Sequence, residues 1–223
     1  MKGYFKIYEL VLWGSSSAVI AAAFFIFGSG GYLSLITSLI GAASLIFAAK
    51  GDPLGPALMI VFSVLYGVIS YSFRYYGEMA TYLGMTLPMS AASLVSWLRN
   101  PAEKGKVRVK VNHVTAPQIV CVLLLTCAVT ALFGYILARL KTPNLIPSVI
   151  SVATSFLAAA FTFLRSRIYA LCYAANDVVL IVLWVLAAVQ DVSYVSVTVC
   201  FCVFLVNDLY GFVSWGRMSR EQQ

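Results

Sequence analysis

Two Asn-Asp pairs, Asn176-Asp177 and Asn207-Asp208, interrupt stretches made otherwise of Val, Leu, Ile, Phe and Ala. An Asp at the centre of a membrane-spanning helix costs about 2.5–3.5 kcal/mol on insertion scales, so such residues face a bundle interior or a water-filled cavity. Helical spacing groups Tyr169, Cys172, Tyr173 and Asn176 into one stripe, and Cys200, Phe204, Asn207, Gly211 and Ser214 into another. Each Asp stands roughly 100° round from its Asn. Tyr173 comes four residues before Asp177, and Trp184 seven after it. Rings beside amides and carboxylates fit a flat, polar, cationic ligand: the rings stack on it, the amides orient it and the carboxylates favour positive charge. The competing reading is structural. Intramembrane Asn side chains tie helices together with bonds averaging about 0.6 kcal/mol, and an Asp can bond a hydroxyl across the bundle. Two pairs at matched depth favour a ligand path.

These residues need helices that span a membrane. Of the 223 residues 61% are apolar and 10% charged, against about 25% charged in a soluble domain. Such a chain has no polar coat, and it reads as an all-α integral membrane protein. A bilayer core of about 30 Å takes about 20 apolar residues per helix. Eight segments meet that length, at 8–27, 31–49, 54–73, 78–98, 116–138, 144–164, 168–189 and 193–215. "GSGG" (28–31), "KGDP" (50–53), "KTPN" (141–144) and "VQDVS" (189–193) punctuate them. In "KGDP", Asp52 is an N-cap and Pro53 a first helical residue. Asn176 and Asn207 each fall about eight residues from one end of their segments, or ~12 Å at 1.5 Å per residue.

The net charge of +7 raises nucleic acid as a partner. The basic residues fall between apolar segments, however, which is the pattern of cytoplasmic loops. With the N-terminus inside, 12 Lys and Arg lie on the inner side and 3 (Arg74, Arg139 and Lys141) on the outer. This bias places both termini in the cytoplasm. The loop 99–115 is the longest and most basic, and is suited to anionic membrane lipid. Val-Ser-Trp-x-Arg closes the fourth segment (95–99) and recurs at 213–217, an offset of 118 residues. The Trp is expected at the membrane interface, with the Arg just inside it. The segments then divide into an extra N-terminal helix (8–27), a three-helix repeat (31–98), the basic loop (99–115), a linker helix (116–138) and a second three-helix repeat (144–215). Both repeats begin outside and end inside, and parallel repeats place a substrate site at their interface.

No enzyme constellation appears. HExxH, GxSxG and phosphate-binding Gly loops are all missing from the sequence. The paired Asp residues lack the Gly-containing signatures of an intramembrane aspartyl protease. Cys121, Cys127, Cys172, Cys200 and Cys202 lie in apolar segments without a CxxC and read as small hydrophobes. His113 lies in the basic loop with no second ligand near it, so neither a metal nor a cofactor is expected. Arg74 and Glu78 in "RYYGE" read as an interfacial pair or outer gate.

"RYYGEM" (74–79), "LPM" (87–89), Ser96-Trp97, Asn176, and Asn207 followed by "LYGFVSW" (209–215) together resemble the PnuC family of vitamin transporters. The likeness spans about residues 31–218. It implies a three-plus-one-plus-three helical fold similar to the sugar-transporting SWEET proteins, in the bacterial inner membrane. It implies facilitated diffusion of nicotinamide riboside, with a separate cytosolic kinase trapping the product, and it extends to this chain the homotrimeric assembly found among members. Relatives carry thiamine, riboflavin or deoxynucleosides. Asn176 and Asn207 match the family's pattern. Tyr169 and Cys172 stand where the family has a Trp-rich stripe, and Ser90 stands where Gln often follows Pro-Met. The site expected from residues and resemblance together is Asn176, Asn207, Tyr173, Tyr169, Ser90, Asp177, Asp208 and Trp184. An intramembrane enzyme or a ligand-sensing receptor is the alternative from another class.

Overall fold

The computed structural model describes residues 4–28, 31–72, 75–103 and 107–223. Its helices are α1 Ile7–Phe27, α2 Tyr32–Ala49, α3 Leu54–Ser72, α4 Tyr76–Thr81, α5 Leu87–Arg99, α6 Ala116–Arg139, α7 Leu145–Phe163, α8 Ile168–Ala188 and α9 Val195–Glu221. Among the described residues seven helices are long and apolar enough to cross a membrane: α1, α2, α3, α6, α7, α8 and the stretch Val192–Glu221 containing α9.

The remaining expected segment, 78–98, is a broken helix. α4 passes through a π-helical turn, Tyr82–Thr86, into α5. Pro88 at the start of α5 explains the break. It has no N–H for the carbonyl four residues back, and the Leu87 N–H reaches the carbonyl of Tyr82 instead. π turns of this kind are frequent at functional sites. Here the extra residue rotates Tyr82 and Met85 into the bundle, where both are buried.

Six helices close a ring in the order α2, α3, α5, α7, α8, α9, each packed on the next, with α9 returning to α2. α1 lies outside against α2 and α9, and α6 outside against α7. α6 buries only Val122, Thr126 and Leu137, so most of its apolar surface is left for lipid. Inside the ring, small residues allow close approach. A Cβ on Gly41 would stand 2.5 Å from the Phe204 ring, so α9 seats that ring against α2 only because position 41 has no side chain.

The corners α2–α3 and α7–α8 are built alike. Gly51 and Arg165 both have left-handed φ, 68° and 57°. The Gly51 and Asp52 N–H groups bond back to Ala48 and Phe47, as those of Arg165 and Ser166 do to Thr162 and Phe161. This is the double bond of a Schellman stop. Asp52 then accepts from the Leu54 N–H at 2.8 Å and Ser166 from the Ile168 N–H at 3.4 Å. Loop 99–115 straps both corners: the Val109 N–H donates to the Gly51 carbonyl and the Asn112 N–H to that of Arg165. The chain's end joins this strap, with Gln222 accepting from the Val111 N–H and donating to the Val109 carbonyl. We call this side the loop face and the opposite one the far face.

The repeated residues Trp97 and Trp215 point into the bundle. They are 1% and 0% exposed, with ring centroids 5.3 Å apart. The Trp97 indole N–H donates to the Thr162 carbonyl at the end of α7, and that of Trp215 to the Ala48 carbonyl at the end of α2, each at 2.8 Å. A helix end has carbonyls without intrahelical partners, so each indole caps the helix opposite.

Candidate functional site

α8 and α9 run antiparallel and bring the two Asn-Asp pairs to one level. Asp177 and Asp208 lie within hydrogen-bond reach of each other. Both are 3% exposed, and Asp177 Oδ2 has no protein partner. Two carboxylates in contact need a shared proton, because like charges that close cannot both persist in a medium of low dielectric. The pair therefore holds at most one negative charge at mid-bundle.

The two Asn side chains turn elsewhere. Asn176 Oδ1 accepts from Ser151, Thr154 and Ser155 of α7 at 3.2, 2.9 and 3.0 Å. Asn207 Nδ2 donates to Ser16 Oγ of α1 at 3.0 Å and to the Val203 carbonyl at 2.8 Å. Each amide thus ties its helix to a neighbour, as the structural reading expected. Asn207 keeps one group free: its Oδ1 is buried without a partner.

Rings and hydroxyls flank the carboxylates on both sides. Towards the loop face, Tyr169 and Tyr173 meet edge to face at 6.1 Å, and Tyr169 packs on Trp215 at 5.0 Å. Both tyrosines lie in electrostatic range of Asp208. Together with Ser90, Ser93 and Thr162 they line a cavity of about 20 Å³. Cys172 is half-buried beside them. Towards the far face, Trp184 packs between Tyr75 and Tyr194 at 5.2 and 5.5 Å. With Tyr66, Ser70 and Phe201 it lines a second cavity of about 40 Å³. Ligand pockets run to about 300–1,000 Å³, so a nucleoside-sized molecule fits neither unless the helices part. The expected residues therefore fall into three levels: Ser90, Tyr169 and Tyr173 near the loop face, Asp177 and Asp208 in the middle, and Trp184 beyond.

Glu78 departs from the interfacial reading. It is 4% exposed, and its Oε2 has no protein partner. Its expected partner Arg74 lies outside the described residues. Glu78 stands in electrostatic range of Tyr66 and Tyr82, two rings that sequence reasoning missed. Tyr66 and Tyr82 meet at 4.4 Å. A usable signal was Pro88, six residues after Tyr82, which foretells a broken helix and inward-turned residues just before it.

The geometry sets two carboxyls and a series of rings inside an apolar bundle. Among the described residues no group of three or more His, Cys, Asp or Glu comes together. A crystal structure of the vitamin B3 transporter PnuC superposes with a TM-score of 0.84 at 20% identity, covering 99% of this chain and 95% of that one. In sequence, the chain is 23% identical over 206 residues to the nicotinamide riboside transporter PnuC of Neisseria mucosa, covering 91% of this chain and 78% of the relative. The family model described as nicotinamide mononucleotide transporter matches residues 31–217, which takes in the whole ring of six helices, both Asp residues and both Trp corners. The relatives are transporters rather than enzymes, and over that span this multi-pass membrane protein belongs to the nicotinamide mononucleotide transporter family.

Proposed function

We propose that this protein carries nicotinamide riboside into the cell by facilitated diffusion. The observation that carries the substrate reading is the Asp177–Asp208 pair: two carboxyls in contact, buried at mid-bundle between rings, which complement one pyridinium cation when one of them ionises. The relative from Neisseria mucosa, named for that riboside, supports it. The mononucleotide fits this centre less well, since its phosphate would approach a carboxylate pair. Thiamine is also cationic and is the second candidate; riboflavin and the deoxynucleosides lack the charge.

In this reading Tyr173, Tyr169 and Ser90 hold the ligand from the loop face and Trp184 from the far face. Asn207 offers Oδ1 to a ligand hydroxyl, and Asn176 fixes α8 on α7. The units 31–98 and 144–215 act as parallel three-helix repeats that rock against each other. Support comes from the two like corners, 114 residues apart, and from the two indoles that each cap the other unit. Helix α1 is then an extra helix, and α6 is the linker. The Lys and Arg bias puts the loop face and both termini in the cytoplasm of a cell with its inner membrane as the site of action. A separate kinase would trap the riboside, because the phosphorylated product is repelled by the same carboxylates. The lipid-facing surface of α6 is available for contacts in a homotrimer.

A calorimetric titration of the purified protein tests the substrate. Nicotinamide riboside should bind at least tenfold more tightly than its neutral reduced form. Equal affinities for the two would remove the charge argument.

A further inference from the structure

Glu78 has no role in the site described above, yet it is among the most exceptional side chains in the bundle. A carboxylate in a membrane segment is retained at a cost and normally marks a path for ions or substrate. Glu78 is 4% exposed, with a buried oxygen that no protein group satisfies. The chain offers it no cation among the described residues, since the pairs seen there join Lys50 to Glu9 and Arg108 to Glu221.

Two aromatic side chains interact with Glu78. Tyr66 and Tyr82 both lie within its electrostatic range. The Trp184 indole lies beside the Tyr66 hydroxyl, and Tyr75 and Tyr194 pack on the other faces of Trp184. Aromatic rings near a carboxylate are groups that can bind organic cations, and Trp is the strongest partner of the three aromatic types. Part of this cluster already borders the far-face cavity, through Tyr66, Trp184 and Tyr194.

The cluster is also connected to the central pair. Tyr82 lies in electrostatic range of both Glu78 and Asp177. Its placement depends on the π turn, which is the one irregularity in the helix that carries Glu78 as well. A break in a membrane helix that turns a ring between two buried carboxylates has a clear use, which is to hand a cation from one to the other.

We propose that Glu78, with the rings of Tyr66, Tyr82 and Trp184, forms a separate subsite for a flat organic cation on the far-face side of the Asp177–Asp208 pair. This rests on the transporter reading above and adds a first station to its path. A ligand arriving from the far face meets Glu78 before it meets the two Asp residues, and both steps require the helices to part.

The test uses the N-methylnicotinamide cation, a pyridinium that quenches indole fluorescence, and nicotinamide as its neutral counterpart. Both are titrated into the full-length protein in detergent, and the Trp184→Phe variant identifies the Trp184 signal. The cation, and not nicotinamide, should quench Trp184. Glu78→Gln should weaken that quenching about tenfold or more with an unchanged melting temperature, whereas the double change Asp177→Asn, Asp208→Asn should leave it in place. Full quenching in Glu78→Gln, or its loss in the Asp double variant alone, overturns the subsite. Failure of the parent reading looks different: Trp184 is still quenched by the cation, but no nicotinamide riboside is taken up.

Discussion

Replacing both mid-bundle carboxylates, Asp177→Asn with Asp208→Asn, separates charge recognition from shape. Two carboxyls in contact can present one charge to a bound cation but not two. A ligand cation ~6 Å from the centre of that charge, at an effective dielectric of ~20, gains about 2.8 kcal/mol. Removing both carboxylates should therefore weaken nicotinamide riboside about 100-fold. The neutral reduced riboside, which has the same ribose and ring skeleton, should change less than threefold. The single variants sharpen the point. In Asp208→Asn the new amide donates to Asp177, which keeps the full charge, so each single change should cost less than about threefold. Calorimetry on the four proteins with both ligands gives the complete comparison. A full loss from one single change would refute the shared-charge picture, and equal losses for the two ligands would refute charge recognition altogether.

Trp97→Phe and Trp215→Phe each remove the indole donor from a buried carbonyl, that of Thr162 or Ala48, which keeps only its backbone donor from Arg165 or Gly51. Each should destabilise by about 0.5–1.5 kcal/mol, and because the rings touch the double variant should depart from additivity; melting curves in one detergent decide this, and an unchanged melting temperature in either single variant would remove the capping role. Asn207→Leu deletes both the tie to Ser16 and the free Oδ1, and should lower riboside affinity at least tenfold, while Ser16→Ala, which breaks only the tie, should leave affinity within about twofold. If the two variants bind alike, Asn207 is structural and has no contact with the ligand.

Most helix limits were legible because apolar runs and their punctuation agree. The segments expected at 54–73 and 168–189 emerge as Leu54–Ser72 and Ile168–Ala188, with Asp52 capping as its position in "KGDP" implies. The depth match of the two Asp residues was legible too, since each position counts from a helix end. Direction around the helix axis was the harder quantity. Asn176 and Asn207 sit on inward stripes, yet their amides swing to hydroxyls on α7 and α1. Nothing local records that choice, because it depends on which helix packs alongside. The partners of Trp97 and Trp215 were hidden for a related reason. An indole near a basic helix end fits the interface, but here the opposite helix ends within reach and supplies a carbonyl. Glu78 was misplaced because the segment was taken as straight. With Pro88 forcing a π turn, a residue read as edge-exposed becomes buried.

In the proposed function this bundle moves a riboside cation without an energy source of its own. Uptake of labelled nicotinamide riboside into liposomes holding the purified protein, with no nucleotide and no ion gradient, tests it most directly. The account predicts that internal label rises to the external concentration and stops, with nicotinamide mononucleotide far slower and with the Asp177→Asn, Asp208→Asn protein near the protein-free background. Accumulation above the external level, or entry of the mononucleotide as fast as the riboside, would contradict it.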